Sequence, residues 1–400
     1  MAYGIDLGAA YSAIALVNEG GFAEVFPNTE GDRITASAVF VEPDEVLGKR
    51  NVVVGRIAKE LASTDPDHFI DFVKPYMGDV AWKREIEGVA WTPEMVSAAI
   101  LRKIVQGVEC YSDKVQDVVI ACPVGFSFAQ RQATITAGKL AGLNVVGLID
   151  ETTATALEYA RDKAPEAKTV VVYNLGAQSF DVAVVKICSG KVEVVSSGGS
   201  LHLGGRDWDD ALARHLAEKF AAENNVPESD LLSNLETFTC LRINAERVKM
   251  VFSHRPTVVQ KVWQGDIAAQ VEVTRDKFEE LTKPLLDETE KLTREVMNLA
   301  QKKGVSRFDV FLLEGGAARM PQVRKMVEAS FGELVEGNSI WWMGTESVVK
   351  GAAIYGASIA SGNGSNINPD ENLNDLMATG VLTPKQIEES KQMICDLEVE

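Results

Sequence analysis

The sequence lacks any uninterrupted apolar run near the roughly 18 residues that a membrane-spanning helix needs, so no membrane span is expected. The N-terminal stretch MAYGIDLG also lacks the basic residues and apolar core of a signal peptide. Cysteines are scarce, five in 400 residues, odd in number and without CxxC spacing. Neither a disulfide scaffold nor a zinc site is therefore expected, and a reduced, cytoplasmic protein is favoured.

Positive charge is also in short supply. The chain has 40 Lys and Arg against 58 Asp and Glu, a formal net charge of −18. Nonspecific binding to nucleic acid or to anionic membranes needs a basic surface, so neither partner is expected. The four histidines are scattered without metal-ligand spacing, which argues against a histidine-based metal site. An anion held by backbone N–H groups in a cleft stays compatible with this composition.

Two stretches in different halves of the chain share one pattern. YGIDLGAAYSAIALV, residues 3–17, and VVVYNLGAQSFDVAVV, residues 170–185, each join two strands through a glycine turn. Asp6 and Asn174 align at an offset of 168, the difference between 174 and 6. Glycine lets backbone N–H groups approach an anion closely. The matched turns predict two related α/β lobes, each aiming a turn at a shared cleft.

The remaining pattern alternates strands with helices, which is typical of α/β proteins. It predicts strands over 114–123, 144–148 and 308–313, and helices over 129–143 and 276–304. We expect residues 1–165 to form lobe I, with an insertion at about 41–94, and residues 166–343 to form lobe II, with an insertion at about 208–290. Residues 344–362 are expected to return to lobe I, and residues 363–400 to form a polar linker with a short helix. The segment 161–168 is the expected crossing between lobes, and the terminal CDLEVE is expected to be a solvated tail.

Eight segments, taken in order, resemble the nucleotide-binding domain of the heat shock protein 70 (DnaK-type) family over roughly residues 3–360. They are GIDLGAAYS, FVKPYMG, CPVGFSFAQRQAT, LIDETTATALEYA, YNLGAQSFDV, SLHLGGRDWDD, AERVKMVFS and LEGGAARMP. Each segment alone is weak, and their order and spacing together are specific. The resemblance implies an actin-like ATPase fold of duplicated ribonuclease H-like lobes, with ATP or ADP and Mg²⁺ in the cleft.

The resemblance also implies roles for individual residues. The chemistry would be carried by Lys74, Glu151, Ser179 and Asp181, with Asp6 and Asp181 holding Mg²⁺ largely through water. The nucleotide would be bound by Gly8, Ala9, Ala10, Gly176, Ala177, Gly205, Glu246, Lys249, Ser253, Gly315, Gly316 and Arg319. The spacing of Glu246, Lys249 and Ser253 predicts that one helical face presents all three. Pro123 and Arg131 match a pair through which the family relays the nucleotide state.

Both glycine turns depart from the family pattern. Ala9 and Ala10 stand where the family has two threonines, so two hydroxyls that would contact phosphate oxygens or Mg²⁺ waters are absent. In the second turn Asn174 replaces an aspartate, and Ala177 and Gln178 replace glycines. If the backbone at Gln178 needs a positive φ, that residue costs about 1 kcal/mol or more. Thr345 likewise replaces an aspartate near the adenosine. We therefore expect nucleotide binding with weak or impaired ATP hydrolysis.

Two other functions remain open. The chain is alternatively a non-enzymatic pseudo-ATPase that acts as a scaffold, or a small-molecule kinase of the same fold. A kinase needs a second substrate pocket with a base, and the order of the motifs argues against it. The expected partners are the nucleotide and an unidentified protein, such as a co-chaperone or an exchange factor. The family's peptide-binding domain has no counterpart in this pattern, so client peptides are not expected to bind by the usual route.

Overall fold

The computed structural model describes residues 1–43, 51–112, 114–163, 168–188, 191–361 and 398–399. The strands are β1 (Tyr3–Leu7), β2 (Tyr11–Val17), β3 (Ala23–Phe26), β4 (Thr35–Ala36), β5 (Ala38–Val41), β6 (Asn51–Val54), β7 (Phe69–Asp71), β8 (Arg84–Ile86), β9 (Val89–Trp91), β10 (Asp117–Cys122), β11 (Asn144–Asp150), β12 (Lys168–Leu175), β13 (Phe180–Cys188), β14 (Lys191–Ser200), β15 (Thr257–Gln264), β16 (Ile267–Thr274), β17 (Val310–Glu314), β18 (Ile340–Trp342) and β19 (Glu398–Val399).

The α-helices are α1 (Arg56–Leu61), α2 (Pro93–Glu109), α3 (Phe128–Leu140), α4 (Glu151–Lys163), α5 (Gly205–Asn224), α6 (Glu228–Ser233), α7 (Leu235–Val251), α8 (Arg275–Lys302), α9 (Pro321–Phe331) and α10 (Ser347–Ala360). Single 3-10 turns lie at Pro66–His68, Lys74–Tyr76, Gly316–Arg319, Gly332–Leu334 and Glu336–Asn338. None of the helices formed by these described residues combines the length and apolar content that crossing a bilayer requires.

The two large sheets have the same topology. The first has the order β11-β10-β1-β2-β3, with β4 also paired to β2, and the second has the order β14-β13-β12-β17-β18. In each sheet an antiparallel hairpin, β1–β2 or β12–β13, adds a parallel strand, β10 or β17. Apart from β4, the strands of the two sheets therefore correspond one to one, which confirms the predicted α/β fold with two duplicated lobes. We call residues 1–163 with α10 lobe I, and residues 168–342 lobe II; the finer domain boundaries stay a prediction.

The valine-rich run in β12 is buried because helices cover both faces of the second sheet. Val171 and Tyr173 point into a core with α5, α7 and α8, whereas Val170 and Val172 point into a core with α4 and α10. A strand covered on both faces reads as a continuous apolar run rather than an alternating one. The run TVVVY therefore follows from the position of β12 at the centre of its sheet.

Helices α4 and α10 pack between the two sheets and bring them together. Their buried residues share one core with β10 of lobe I and with β12, β13 and β17 of lobe II. The contact is close at two glycines. A Cβ on Gly4 of β1 would lie 2.0 Å from the amide nitrogen of Ala353 in α10, and one on Gly351 would lie 1.8 Å from the carbonyl oxygen of Ala154 in α4. Any side chain at these two positions would push α10 away from its neighbours.

The predicted long helix of lobe II is confirmed as α8. Its buried stripe includes Thr282, Thr289 and Thr293, each fully buried. The hydroxyls of Thr282 and Thr293 donate to the carbonyls of Phe278 and Thr289, four residues earlier, at 2.8 and 2.7 Å. These bonds satisfy the buried hydroxyls, so small polar residues can face the sheet without cost. Beyond Lys302 the chain leaves the helix at Gly304, whose φ is +89°.

The C-terminal residues correct one prediction. The expected solvated tail is wrong for Glu398–Val399, which form β19 and pair in parallel with β6 at Asn51 and Val52. Val399 is buried with the core of lobe I. The edge of β6 offers unpaired backbone groups to any extended segment, and a two-residue strand in acidic sequence leaves no pattern to detect. The linker at 362–375, the helix predicted to begin near Thr383, and residues 164–167 of the crossing lie outside the described residues.

Candidate functional site

The first glycine turn connects β1 to β2 and is held by the side chain and the amide of Ser37. Ser37 donates from Oγ to the carbonyl of Gly8 at 2.6 Å, and its amide donates to the carbonyl of Ala10 at 2.8 Å. A Cβ on Gly8 would lie 2.1 Å from the carbonyl oxygen of Tyr11, so only glycine fits this turn. Ala9 and Ala10 are both buried. The turn therefore keeps its backbone geometry although these two positions carry no hydroxyl.

The second glycine turn connects β12 to β13 and abuts the start of α5. The amide of Gly176 donates to Ser179 at 3.0 Å, and the amide of Gly205 donates to the carbonyl of Gly176 at 2.9 Å. Gln178 does not occur among the described non-glycine residues with positive φ. The strain considered for Gln178 is therefore absent. The amide of Arg206 likewise donates to the carbonyl of Ala177 at 2.7 Å, so the first two amides of α5 hold the turn in place.

Three of the expected catalytic and turn residues meet in one cluster. Lys74 Nζ donates to Glu151 Oε1 at 2.7 Å, and Asn174 Nδ2 donates to Glu151 Oε2 at 2.8 Å. Glu151 is the first residue of α4, where the helix N-terminus favours its negative charge. Burial acts to lower the pKa of Lys74, but Glu151 and Asp6 overcome it and raise that pKa above its ordinary value. The lysine is therefore a cation in the folded protein.

Two aspartates face the same cluster from the two lobes. Burial raises the pKa of Asp6 to about 7, and the nearby Glu151 carboxylate adds to the rise while Lys74 opposes it. Burial and Glu151 likewise raise the pKa of Asp181 to about 8. Asp181 Oδ1 accepts from the amide of Val124 at 3.2 Å, whereas Oδ2 is buried without a hydrogen-bond partner among the described residues. Carboxylate oxygens, with several retained waters, are the ligands that Mg²⁺ prefers.

A buried carboxylate that the sequence predictions did not include, Glu314, also lies at this site. It ends β17 opposite Asn174 in the register of the β12–β17 pair. Ser347 donates a hydrogen bond to Glu314 Oε2. Burial raises the pKa of Glu314 to about 8, and Asp6 and Glu151 contribute to the rise. The signal that could have identified it is its position at the end of a strand directly before the glycine pair, similar to that of Asp6, which lies two residues before Gly8.

The expected adenosine-binding side chains are engaged with protein groups. Glu246 accepts from Lys59 of lobe I at 2.9 Å and from Tyr11 Oη at 3.3 Å. Lys249 donates to the carbonyl of Gly205 at 2.8 Å and pairs with Asp209 at 2.7 Å. The prediction of one helical face is wrong for the third residue, because α7 ends at Val251 and Ser253 follows in a turn after the helix.

The glycine pair after β17 lies against the second turn. Gly315 has φ +88°, and a Cβ there would lie 2.2 Å from the carbonyl oxygen of Leu175, so glycine is required at this position. Gly316 begins the 3-10 turn that ends at Arg319. The guanidinium of Arg319 lies 5.6 Å from the ring centroid of Trp342, a cation–π distance. Thr345, where the family has an aspartate, is exposed.

The pair expected to relay the nucleotide state adjoins the cluster. Arg131 pairs with Asp150 at 2.8 Å, and Asp150 directly precedes Glu151. A second bond runs from Arg131 Nη1 to Cys122 Sγ at 3.3 Å. A narrow crevice between the lobes is lined by Lys74, Pro75, Pro123, Phe126, Gln178, Ser179 and Leu201. Lys74 and Pro123 of lobe I thus face the second turn of lobe II.

Comparisons with known proteins show the family of the chain. The family model described as Hsp70 protein matches residues 2–88 and 77–384. The chaperone protein DnaK of Thermotoga neapolitana is 36% identical over 371 residues, which cover 90% of this chain and 60% of that protein. The chaperone protein DnaK of Thermosipho africanus is 35% identical over 370 residues with the same coverage. The chain therefore spans about 60% of the length of the curated relatives it matches.

Proposed function

The chain belongs to the Hsp70 protein family, and we propose that it holds Mg·ATP or Mg·ADP between its two lobes and hydrolyses ATP slowly. The observation that carries this proposal is the crevice in which Lys74 of lobe I faces Gln178 and Ser179 of the second turn, with Asp6, just before the first turn, close enough to Lys74 and Glu151 to interact with both. A cation that faces a glycine turn across a crevice suits a polyphosphate.

The residues fit a hydrated Mg²⁺ ion. Asp181 Oδ2 is buried without a partner among the described residues, and Asp6 shares its electrostatic environment. The described residues contain no cluster of three or more His, Cys, Asp or Glu side chains that could hold a metal directly. Asp6 and Asp181 would therefore hold Mg²⁺ mainly through its waters. When bound, Mg²⁺ neutralises phosphate charge and polarises the bond that breaks.

The chain's own groups would position the reactants. The first turn and the turn at Gly176 would hold the phosphates by backbone N–H groups, and Lys74 would offset charge that develops on the transferred phosphoryl group. Glu151, whose Oε1 accepts from Lys74 at 2.7 Å, would orient the attacking water. The turn of Gly315 and Gly316, with Arg319 and the side chains of Glu246, Lys249 and Ser253, would surround the nucleoside.

Slow hydrolysis is supported by what the turns lack. Ala9 and Ala10 offer no hydroxyl to phosphate oxygens or Mg²⁺ waters. Asn174 is neutral and therefore supplies no negative charge to a metal, and its Nδ2 donates to Glu151 at 2.8 Å. Losing one such stabilising contact costs on the order of 3 kcal/mol, roughly a hundredfold in rate, and losses in one coupled site do not add. Binding is less affected, because backbone groups carry most of it.

Calorimetric titration with ADP and ATP, with and without Mg²⁺, tests the binding half of this proposal. We expect saturable binding that Mg²⁺ strengthens, and no measurable heat with either nucleotide would refute it. Single-turnover hydrolysis of ATP tests the second half. A rate equal to that of a Thermotoga DnaK measured in parallel would show that Ala9, Ala10 and Asn174 do not impair the chemistry.

A scaffold without enzymatic activity is the second candidate, and one observation favours it. Glu151 is engaged at both oxygens by Lys74 and Asn174 within the protein itself. A group held in this way stabilises a closed arrangement of the lobes without any nucleotide. Binding of Mg·ATP with no turnover above the uncatalysed rate would favour the scaffold. In either case we propose a chaperone-related or regulatory role in the cytoplasm, with a protein partner such as a co-chaperone or exchange factor.

A further inference from the structure

Arg206, the second residue of α5, connects the second glycine turn to lobe I. Its amide donates to the carbonyl of Ala177 in the turn at 2.7 Å. Its side chain leaves lobe II and lies over the ring of Phe72, with the guanidinium carbon 4.3 Å from the ring centroid. Its Nη1 also lies 3.6 Å from Asp71 Oδ2. One residue therefore touches the turn through its backbone and lobe I through its side chain.

Phe72 occupies an unusual backbone conformation two residues before Lys74. Its φ is +53°, a region that bulky side chains rarely adopt because of contact between Cβ and the backbone. Such a conformation persists only where the surroundings impose it. On one side β7 ends at Asp71, paired with Ala38, and on the other Val73 is buried in the core of lobe I. The guanidinium of Arg206 covers the ring from lobe II.

The contact is sheltered and electrostatically supported. The side chains of Arg206 and Asp71 are each 20% exposed. Arg206 Nε lies 3.7 Å from Asp210, one turn further along α5, and Arg242 binds Asp210 with two hydrogen bonds of 2.7 and 2.8 Å. The aspartate and Arg242 thereby hold the guanidinium of Arg206 in line with Phe72. A cation over an aromatic face is stronger when water is partly excluded.

We propose that Arg206 is a positioning residue that latches lobe II onto the Phe72–Lys74 segment, so that Lys74 faces the second glycine turn. Because Arg206 adjoins Gly205 and bonds the turn at Ala177, any shift of the turn changes the position of its guanidinium. The contact between Arg206 and Phe72 thereby couples nucleotide binding at the turn to closure of the lobes, and it should slow nucleotide release. The effect on nucleotide release rests on the proposed function, whereas the effect on lobe closure does not.

The first test measures the distance between the lobes without nucleotide. Spin labels are attached to cysteines introduced at two exposed positions, Val80→Cys in lobe I and Asp266→Cys in lobe II. The protein used for labelling has its native exposed cysteines replaced by serine. Pulsed electron resonance then measures the distance between the two labels. We expect Arg206→Ala to broaden the distribution and shift it to longer distances, and Arg206→Lys to restore it in part. Arg214→Ala is the matched control, because Arg214 also lies on α5 over an aromatic ring, Phe238, but within lobe II. An Arg206→Ala distribution equal to that of wild type would overturn the proposal.

The second test measures release of a fluorescent ADP analogue by stopped flow. We expect Arg206→Ala to release it about fivefold faster, Phe72→Leu to do the same, and the double variant to add little, since both remove one contact. Arg214→Ala should match wild type. Two independent, additive effects would contradict a shared latch. If wild type binds no nucleotide, the proposed function fails, and the distance measurement alone decides the latch.

Discussion

Asn174 donates a hydrogen bond from Nδ2 to Glu151 Oε2 at 2.8 Å, across the interface between the two lobes. An aspartate at this position would place a second carboxylate against Glu151, in a cluster that already contains Asp6, Asp181 and Glu314. The asparagine therefore stabilises the closed cleft without a metal, and it does so by removing a charge that a metal would otherwise bind.

We expect Asn174→Asp to destabilise the nucleotide-free protein by about 2 kcal/mol, because a hydrogen-bond donor becomes a buried like charge. Mg·ADP should restore most of this loss by neutralising the new carboxylate. Urea denaturation with and without Mg·ADP measures both effects. Asn144→Asp is the control, since Asn144 also donates to a carboxylate, Asp117, but at the exposed surface. Equal stability of Asn174→Asp and wild type without Mg·ADP would contradict this account of Asn174.

Lys74→Ala should lower the single-turnover rate of ATP hydrolysis about a hundredfold while weakening nucleotide binding by less than about tenfold. The reason is that Lys74 both orders Glu151 and supplies positive charge where the phosphoryl group would react. Rapid-quench measurements and calorimetry separate the two quantities. Lys83→Ala removes an exposed lysine of the same lobe and should change neither. If the Lys74→Ala variant hydrolysed ATP at the wild-type rate, the proposed role of Lys74 in hydrolysis would be wrong.

Glu314 should make the protein less stable as pH rises. Its pKa in the folded protein is about 8, above its ordinary value of 4.5, so the folded state holds a proton that the unfolded state releases between these values. The contribution of this proton to the free energy of unfolding is therefore complete below about pH 4.5 and declines as the pH rises to about 8. Glu314→Gln cannot ionise and should flatten this part of the profile.

The pH profile is measured by urea denaturation between pH 5 and 9. Glu333→Gln, which changes an exposed glutamate of lobe II, should leave the slope unchanged. The interpretation of Glu314 would not survive if Glu314→Gln and wild type lost stability in parallel across this range.

Val399→Ser should loosen β19 from the edge of β6. Val399 is buried in lobe I, and its exposure would cost about 1.5 kcal/mol, with faster amide exchange confined to residues 51–54. Hydrogen exchange with mass spectrometry localises the effect. Val259→Ser, at an exposed strand position of lobe II, is the matched control. Unchanged protection of the β6 amides from exchange in Val399→Ser would contradict the view that β19 stabilises the edge of β6.

Much of the candidate site could be predicted from the sequence. Local sequence patterns mark several of its residues, namely Gly8 and Gly176 in the turns, Asp6 and Asn174 near the strand ends, and Lys74 with Glu151. The glycines are recognisable because a turn that approaches another backbone closely tolerates little besides glycine. The structure brings Lys74, Glu151 and Asn174 together. Ser253 was misplaced because helical spacing was extended past the end of α7, where the chain turns at Phe252.

The sequence by itself determined the two-lobed α/β fold, since the duplicated hairpins and valine-rich strands follow from turn chemistry and from the hydrophobic pattern, which are local properties. Only the tertiary structure decided which residues far apart in the chain become partners. Glu314 opposite Asn174, Lys59 on Glu246 and Arg206 on Phe72 join residues that are distant in the chain. The energies of such contacts depend on burial and on the angle between groups, and both arise only when the two sheets close on α4 and α10.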